Sequence, residues 1–204
     1  VKLMIGSNEK TLATYNSHAS EYVAGTTHVV FGAIRDWINE ALAGLPLDAA
    51  LLEIGSAIGR DAAYIHEQGY EVECTDASTA FVQHLRRLGF EAKLFNVLND
   101  AFTAKYDLII ANAVLLHFDR QEFAEALRKS SRALKPNGRF AFSLKRGDGE
   151  EWSDEKLNAP RFFCYWQPED LAPLLSRARF SSWAINEVAT ERAHAEWLYI
   201  VARA

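Results

Sequence analysis

The chain has 204 residues, 49% of them hydrophobic, which suits one α/β domain with a sizeable core. A net charge of −5, with cations no denser than pairs such as Arg86-Arg87 and Lys145-Arg146, argues against nucleic acid as a partner. No stretch approaches the roughly 20 apolar residues that span a bilayer, residues 1–10 lack a basic region followed by a long apolar run, and Cys74 and Cys164 form no CxxC or metal-ligand pattern; the expectation is a cytoplasmic protein with two free thiols and no membrane partner.

Residues 1–6 are expected to fray, and a helix over 10–22 carries Tyr15, Ala19 and Tyr22. Val30, Ile34, Trp37, Ile38, Ala41 and Leu42 form the stripe of a second helix over 28–43, ended by Gly44 and Pro46. Arg35 on that helix has no assigned role. Residues 51–64, LLEIGSAIGRDAAY, begin as a buried strand, break at Gly55, pass through Ser56-Ala57-Ile58 to Gly59, and resume as a helix that Gly69 closes. A strand, a glycine turn and a helix opening make the ligand-binding corner of an open α/β sheet, where N–H groups at the helix start are unpaired. About 20 residues on, a second strand ends on Asp76, the place where such folds put a carboxylate that holds a ribose. Ser78 caps a helix over 79–88, a third strand covers 90–95, and the apolar YDLIIA at 106–111 is a strand buried on both faces. Asp119 and Glu122 cap a helix reaching about residue 134, the turn 135–138 follows, and a fifth strand covers 139–144. A polar loop over 145–160, the run Arg161-Phe162-Phe163-Cys164-Tyr165-Trp166, a helix from Pro168, and strands over 180–188 and 197–202 complete the chain. The short link makes the last two strands antiparallel neighbours, because a parallel crossover needs a dozen residues or more. The expected fold is a doubly wound, mostly parallel seven-stranded sheet with an antiparallel last strand and helices on both faces.

Three of these stretches carry a family resemblance. E-I-G-S-A-I-G at 53–59 resembles the acidic, glycine-rich first motif of class I S-adenosylmethionine (SAM)-dependent methyltransferases. Glu53 matches the motif acid, Gly55 and Gly59 two of its glycines, and Ala57 stands in place of the central one. Tyr15-x-x-x-Ala19-x-x-Tyr22 resembles the cap helix of small-molecule methyltransferases, and L-K-P-N-G-R-F at 134–140 resembles the turn before their fifth strand. Ser143-Leu144-Lys145, Arg161-Phe162-Phe163 and Trp197-Leu198 are similar to a bacterial branch related to the tellurite-resistance and thiopurine types. The resemblance implies one Rossmann-like domain over residues 1–204 with cap helices over about 10–43, SAM as cofactor, S-adenosylhomocysteine as product, a small-molecule acceptor, and a monomer or weak homodimer.

For the cofactor, the resemblance implies that Asp76 grips the ribose, with Ala77 beside it. Gly55, Ser56, Ala57 and Gly59 pass under the methionine and ribose, and Glu53 orients the loop. Arg60 and Asp61 meet the carboxylate or the cap helix. Asn96 and Val97 lie at the adenine, Asn96 where the family commonly has an acid. The backbone of Asn112 and Ala113 meets the amino group, and Tyr15 and Tyr22 close over the methyl donor. For the acceptor, the candidates in the carboxyl-end loops are His117, Ser143, Lys145, Arg161, Phe162, Arg192 and Trp197, with Tyr15; their convergence would make a cationic pocket with aromatic walls. His117 is a possible general base. A sulfonium methyl is already electrophilic, so positioning a nucleophile is most of what such an enzyme must do. Two other readings stand beside this one. The first is a SAM-binding regulatory protein without turnover. The second is an NAD-dependent oxidoreductase, which Gly55-x-x-x-Gly59 disfavours because it lacks Gly-x-Gly-x-x-Gly.

Overall fold

The computed structural model describes residues 6–189 and 196–204. Strands β1 (Leu51–Ile54), β2 (Val72–Asp76), β3 (Ala92–Leu94), β4 (Tyr106–Ala111), β5 (Leu134–Lys145), β8 (Ser182–Ala189) and β9 (Glu196–Arg203) form one seven-stranded sheet in the order β3-β2-β1-β4-β5-β9-β8. The pairs from β3 to β5 are parallel, and β9 runs antiparallel to both β5 and β8. The order reverses between β1 and β4, which opens a crevice at their carboxyl ends. Two further strands, β6 (Glu150–Ser153) and β7 (Arg161–Cys164), pair antiparallel as a separate ribbon. The helices are α1 (Ser7–Ser17), α2 (Ala19–Ala24), α3 (Gly32–Leu42), α4 (Arg60–Glu67), α5 (Thr79–Arg87), α6 (Arg120–Ala133) and α7 (Pro168–Arg177).

The alternation of a strand distributes β4 between two cores. Leu108 and Ile110 pack with Trp37, Ile38 and Ile65 of α3 and α4. Ile109 and Ala111 pack with Phe123 and Leu127 of α6 and Leu171 and Leu175 of α7. Each large apolar side chain fully removed from water is worth roughly 1.5–3 kcal/mol. Exposed ion pairs such as Arg35–Asp36, with side chains 51% and 68% exposed, are worth about 0–1 kcal/mol. The two apolar layers therefore hold the strands that carry the crevice. Cys74 and Cys164 are buried free thiols. Among the described residues no helix is long and apolar enough to cross a membrane.

Four local expectations are corrected. The helix over 10–22 is two helices broken at His18 (φ −118°, ψ 21°), whose ring Nδ1 lies 3.0 Å from the Thr14 carbonyl. The second helix begins at Gly32, not residue 28: Gly32 has φ +57° and Phe31 is extended, so no helix runs through them. The turn over 135–138 is an excursion inside β5, where pairing jumps from Tyr106–Leu134 to Leu108–Arg139 with Asn137 at φ +63°. The polar loop over 145–160 contains β6. That strand has exposed residues at Glu150, Glu151 and Trp152, so it carries no buried stripe of its own and forms only against the buried β7.

Candidate functional site

A cavity of about 930 Å³ opens at the carboxyl ends of β1, β2 and β4 and is roofed by α1 and α2. It sits at the upper end of the roughly 300–1,000 Å³ usual for small-molecule sites. The roof is fastened at two rims. Thr14 Oγ1 donates to the Pro160 carbonyl at 2.7 Å, and Phe162 N donates to Thr11 Oγ1 at 3.0 Å. Asn16 Oδ1 accepts from Ser78 Oγ, Thr79 Oγ1 and Ala80 N at the start of α5.

One end of the cavity is acidic. β1 delivers Glu53 and stops at Gly55, which has φ +73° and faces Val114 so closely that an added Cβ would lie 2.4 Å from Val114 Cγ2. The next turn is set by Ser56 N donating to Thr75 O at 2.8 Å and Ala57 N donating to Asp76 Oδ2 at 2.9 Å. Asp76 Oδ1 accepts from Ser78 N at 2.8 Å. Burial pushes the Asp76 carboxyl up to about 6, against the pull of those amide donors. Burial and then the Asp61 charge push the Glu53 carboxyl up as well, and Glu53 Oε2 and Ser56 Oγ are buried with no partner. A chain of bonds joins this corner to β4 and β5. Arg60 Nε donates to Asp61 Oδ1 (2.7 Å), Asn112 Nδ2 to Asp61 Oδ2 (2.6 Å), Ser143 Oγ to Asn112 Oδ1 (2.7 Å) and Ala113 N to Ser143 Oγ (2.8 Å). These bonds hold Ala113 in the left-handed region, φ +57°, a conformation that costs a non-glycine residue about 1–2 kcal/mol.

The other end is aromatic and basic. His117 Nδ1 lies 2.6 Å from the Phe162 carbonyl, an acceptor, so Nδ1 carries the proton and Nε2 accepts from the Tyr15 hydroxyl at 2.8 Å. Burial drives the His117 imidazolium down to about 3, so the ring is neutral at any working pH. Burial likewise raises the Tyr15 phenol. The Tyr15 ring meets Tyr22 edge-on at 5.5 Å and His117 at 5.5 Å. Lys145 Nζ sits 4.3 Å and the Arg161 guanidinium 5.1 Å from the centre of Phe163, and Lys156 Nζ sits 3.8 Å from that of Tyr22.

A family model described as a methyltransferase domain matches residues 26–184. The chain belongs to that methyltransferase family. Its sheet order, with β9 antiparallel between β5 and β8, is the class I form. The fold is similar to that of the Burkholderia thailandensis 1,6-didemethyltoxoflavin-N1-methyltransferase, solved with 1,6-didemethyltoxoflavin and S-adenosylhomocysteine (TM-score 0.75, 25% identity, covering 100% of this chain and 92% of that one). It is also similar to the Haemonchus contortus phosphoethanolamine N-methyltransferase 2, solved with phosphomonomethylethanolamine and S-adenosylhomocysteine (TM-score 0.76, 11% identity, 98% and 60%). Two uncharacterized Mycobacterium tuberculosis proteins are 26% identical over 121 residues, 53% of this chain; the match spans 40% of their own length.

In this methyltransferase nearly all the residues expected at a site line the one cavity. Tyr15, Tyr22, Glu53, Gly55, Ser56 and Ala57 do so, as do Arg60, Asp61, Asp76, Ala77, Asn96 and Val97. Asn112, Ala113, His117, Lys145, Arg161 and Trp197 complete them. Three expectations change. Gly59 is off the wall: at φ +76° it caps α4, and an added Cβ would lie 2.9 Å from Phe90 Cε2, so it serves packing. Phe162 is off the wall too, packed on Trp152 at 5.6 Å, while its carbonyl holds His117. Ser143 does not face the cavity but supports Asn112 and Ala113 behind it. Arg192 lies outside the described residues. Lys156, Phe163 and Thr11 line the cavity without having been singled out in the sequence. The signal for Phe163 was available: in a strand over Arg161–Cys164, residues 161 and 163 share a face and 162 takes the other. Lys156 had none, since a lysine in a polar loop has the look of any surface charge.

Proposed function

We propose that this methyltransferase transfers the methyl group of SAM to a small-molecule nucleophile and releases S-adenosylhomocysteine. The observation that carries this reading is Asp76, a buried carboxylate at the end of β2 that both ties down the glycine corner through Ala57 N and faces the cavity. The residues fit the cofactor. Glu53 Oε2 and Ser56 Oγ are buried polar atoms without partners, and two acids held above their ordinary range are what hydroxyl and ammonium donors would relax. Asp76 and Ala77 would hold the ribose, Glu53, Gly55, Ser56 and Ala57 the turn beneath the methionine, Asn112 and Ala113 its amino end, and Asn96 and Val97 the base. When bound, SAM supplies an electrophilic methyl on a sulfonium.

The protein's own part is orientation. Tyr15 and Tyr22 form a lid over the cavity, and Tyr15 is held in place by its hydrogen bond to His117. His117 is too weak a base to draw a proton from an acceptor: burial depresses it, and its free lone pair is already used by Tyr15. It is read as a positioning residue. The rest of the proposal is a single-domain, cytoplasmic protein, monomeric or weakly dimeric, that uses neither nucleic acid nor membrane. The NAD reading is disfavoured by a corner with no third glycine for a pyrophosphate.

Calorimetric titration with SAM, S-adenosylhomocysteine and NAD tests the proposal. The first two are expected to bind and NAD not. Asp76→Asn, which keeps the shape and removes the charge, is expected to weaken binding by about 10–100-fold, the scale of hydrogen bonds to a charged group. Binding of NAD alone would overturn the reading. Binding of SAM with no turnover on any acceptor would favour the regulatory protein.

A further inference from the structure

Arg161 stands out among the charged side chains of the cavity. Its residue is 6% exposed, its Nε has no partner, and its nearest polar neighbour is the Tyr15 hydroxyl, 3.4 Å from a terminal nitrogen. Among the described residues no carboxylate lies within ion-pairing distance of Arg161, Lys145 or Lys156. Arg60, by contrast, is paired with Asp61. The three unpaired cations share one end of the cavity. Arg161 and Lys145 lie against the same Phe163 ring, and Lys156 lies over Tyr22, whose ring abuts Tyr15. Glu155 and Glu151, both exposed, are the acids whose charges reach Lys145, and Lys156, itself exposed, donates to Thr26 Oγ1 at 2.8 Å.

Burying a guanidinium without a counter-ion is costly, and placing two ammonium groups beside it makes it more so. Aromatic faces offset part of that cost. A ligand that brings negative charge offsets the rest. We propose that this end is a subsite for a compact oxyanion carried by the methyl acceptor, with Arg161 as its fork and Lys145 and Lys156 beside it. The inference rests on the methyltransferase reading for the word acceptor, and on the cavity alone for the anion. Arg161 is the suitable anchor because a planar guanidinium meets two oxygens of a carboxylate or phosphoryl group at once. Tyr15, Tyr22 and Phe163 then bound the apolar part of the same molecule. The subsite also fits a His117 that cannot serve as a base. An acceptor fixed by its anion can present a second, already nucleophilic atom without giving up a proton to the protein.

Benzoate, phenylphosphonate and the neutral benzamide are the probes, titrated by calorimetry into the protein alone and into the protein saturated with S-adenosylhomocysteine. At least one anion is expected to bind about tenfold or more tightly than benzamide, the effect of one charge-assisted hydrogen bond, and the better anion tells a carboxylate from a phosphoryl acceptor. Arg161→Gln and, separately, Lys145→Met are each expected to bring that anion down towards the benzamide level. Equal binding of benzamide and both anions, no binding of either anion, or a preference that survives in both variants would overturn the proposal. Should Arg161→Gln fail to fold, the wild-type comparison and Lys145→Met still decide. If S-adenosylhomocysteine binds and the anions fail, the subsite is wrong and the methyltransferase reading stands. If the anions bind through Arg161 and S-adenosylhomocysteine does not, the subsite stands and the cofactor reading falls.

Discussion

The two ends of the cavity are built by different means. The acidic end is made where single strands stop: Glu53 near the end of β1 and Gly55 just past it, Asp76 as the last residue of β2, Asn112 and Ala113 after β4. Asp76, Asn112 and Ala113 are fixed by bonds to their neighbours on a sheet buried from both sides. The basic end exists only when distant pieces meet. Tyr15 and His117 are 102 positions apart, and Tyr15 and Arg161 are 146 apart. A rigid corner suits a cofactor that must be held the same way every time. An end closed by a short helix pair and a two-stranded ribbon can be remodelled to fit an acceptor without disturbing the sheet.

Four experiments would break or sharpen that contrast. The largest effect is expected from Gly55→Ala. A Cβ there meets Val114 Cγ2 at 2.4 Å on a backbone with φ +73°, so a loss of about 3 kcal/mol in urea unfolding is expected, together with loss of S-adenosylhomocysteine binding. A stable, binding variant would show the acidic corner to be less rigid than described. Tyr15→Phe removes the hydroxyl that bonds His117 and contacts Arg161. It is expected to lower kcat/KM for the acceptor about tenfold while S-adenosylhomocysteine affinity changes less than about threefold; equal losses in both would erase the distinction between the ends.

The third experiment is a pH series. Asp76 is raised from 3.8 to about 6 by burial, and donor hydroxyls prefer its ionised form. Between pH 7 and pH 5 affinity for S-adenosylhomocysteine is therefore expected to fall by about tenfold, a component that Asp76→Asn removes. A flat profile down to pH 5 would remove Asp76 from the binding step. The smallest effect is expected from Ala57→Gly, which restores the glycine of the motif at a residue with φ +45°. Relief of the left-handed strain outweighs the added freedom of the unfolded chain, so a gain of up to about 1 kcal/mol, seen as a rise of a few degrees in Tm, is expected.

The same contrast explains what could be read from the chain alone. Leu51 to Asp76 was legible because strand, glycine turn and cap are local events with local residues, and Ser78 and the Asp119–Glu122 pair do cap their helices as expected. Asp76 could be placed because its partners, Ala57 and Ser78, sit on the turns that define it. The basic end was legible only as a set of residue types in loops. Nothing local says that Lys156 reaches Tyr22 or that Ser143 stands behind Ala113; the alternation that turns Phe163 rather than Phe162 inward is local, but it speaks only once 161–164 is taken as a strand. Those facts come from pairing at a distance: β6 with β7, β4 with β5, and the roof closing on the ribbon.

The position of β9 has a consequence for how the molecule is made. It follows β8 in sequence but lies between β5 and β8 in the sheet, so β8 has no neighbour to pair with until β9 arrives. During synthesis from the amino end, the β5 edge stays open while β6, β7, α7 and β8 emerge. That edge, with Phe140, Phe142 and Leu144 on it, is a hydrophobic template for pairing with another chain until β9 covers it. Chains halted before residue 196 are accordingly expected to aggregate more readily than chains in which the eight-residue β9 has slotted into place.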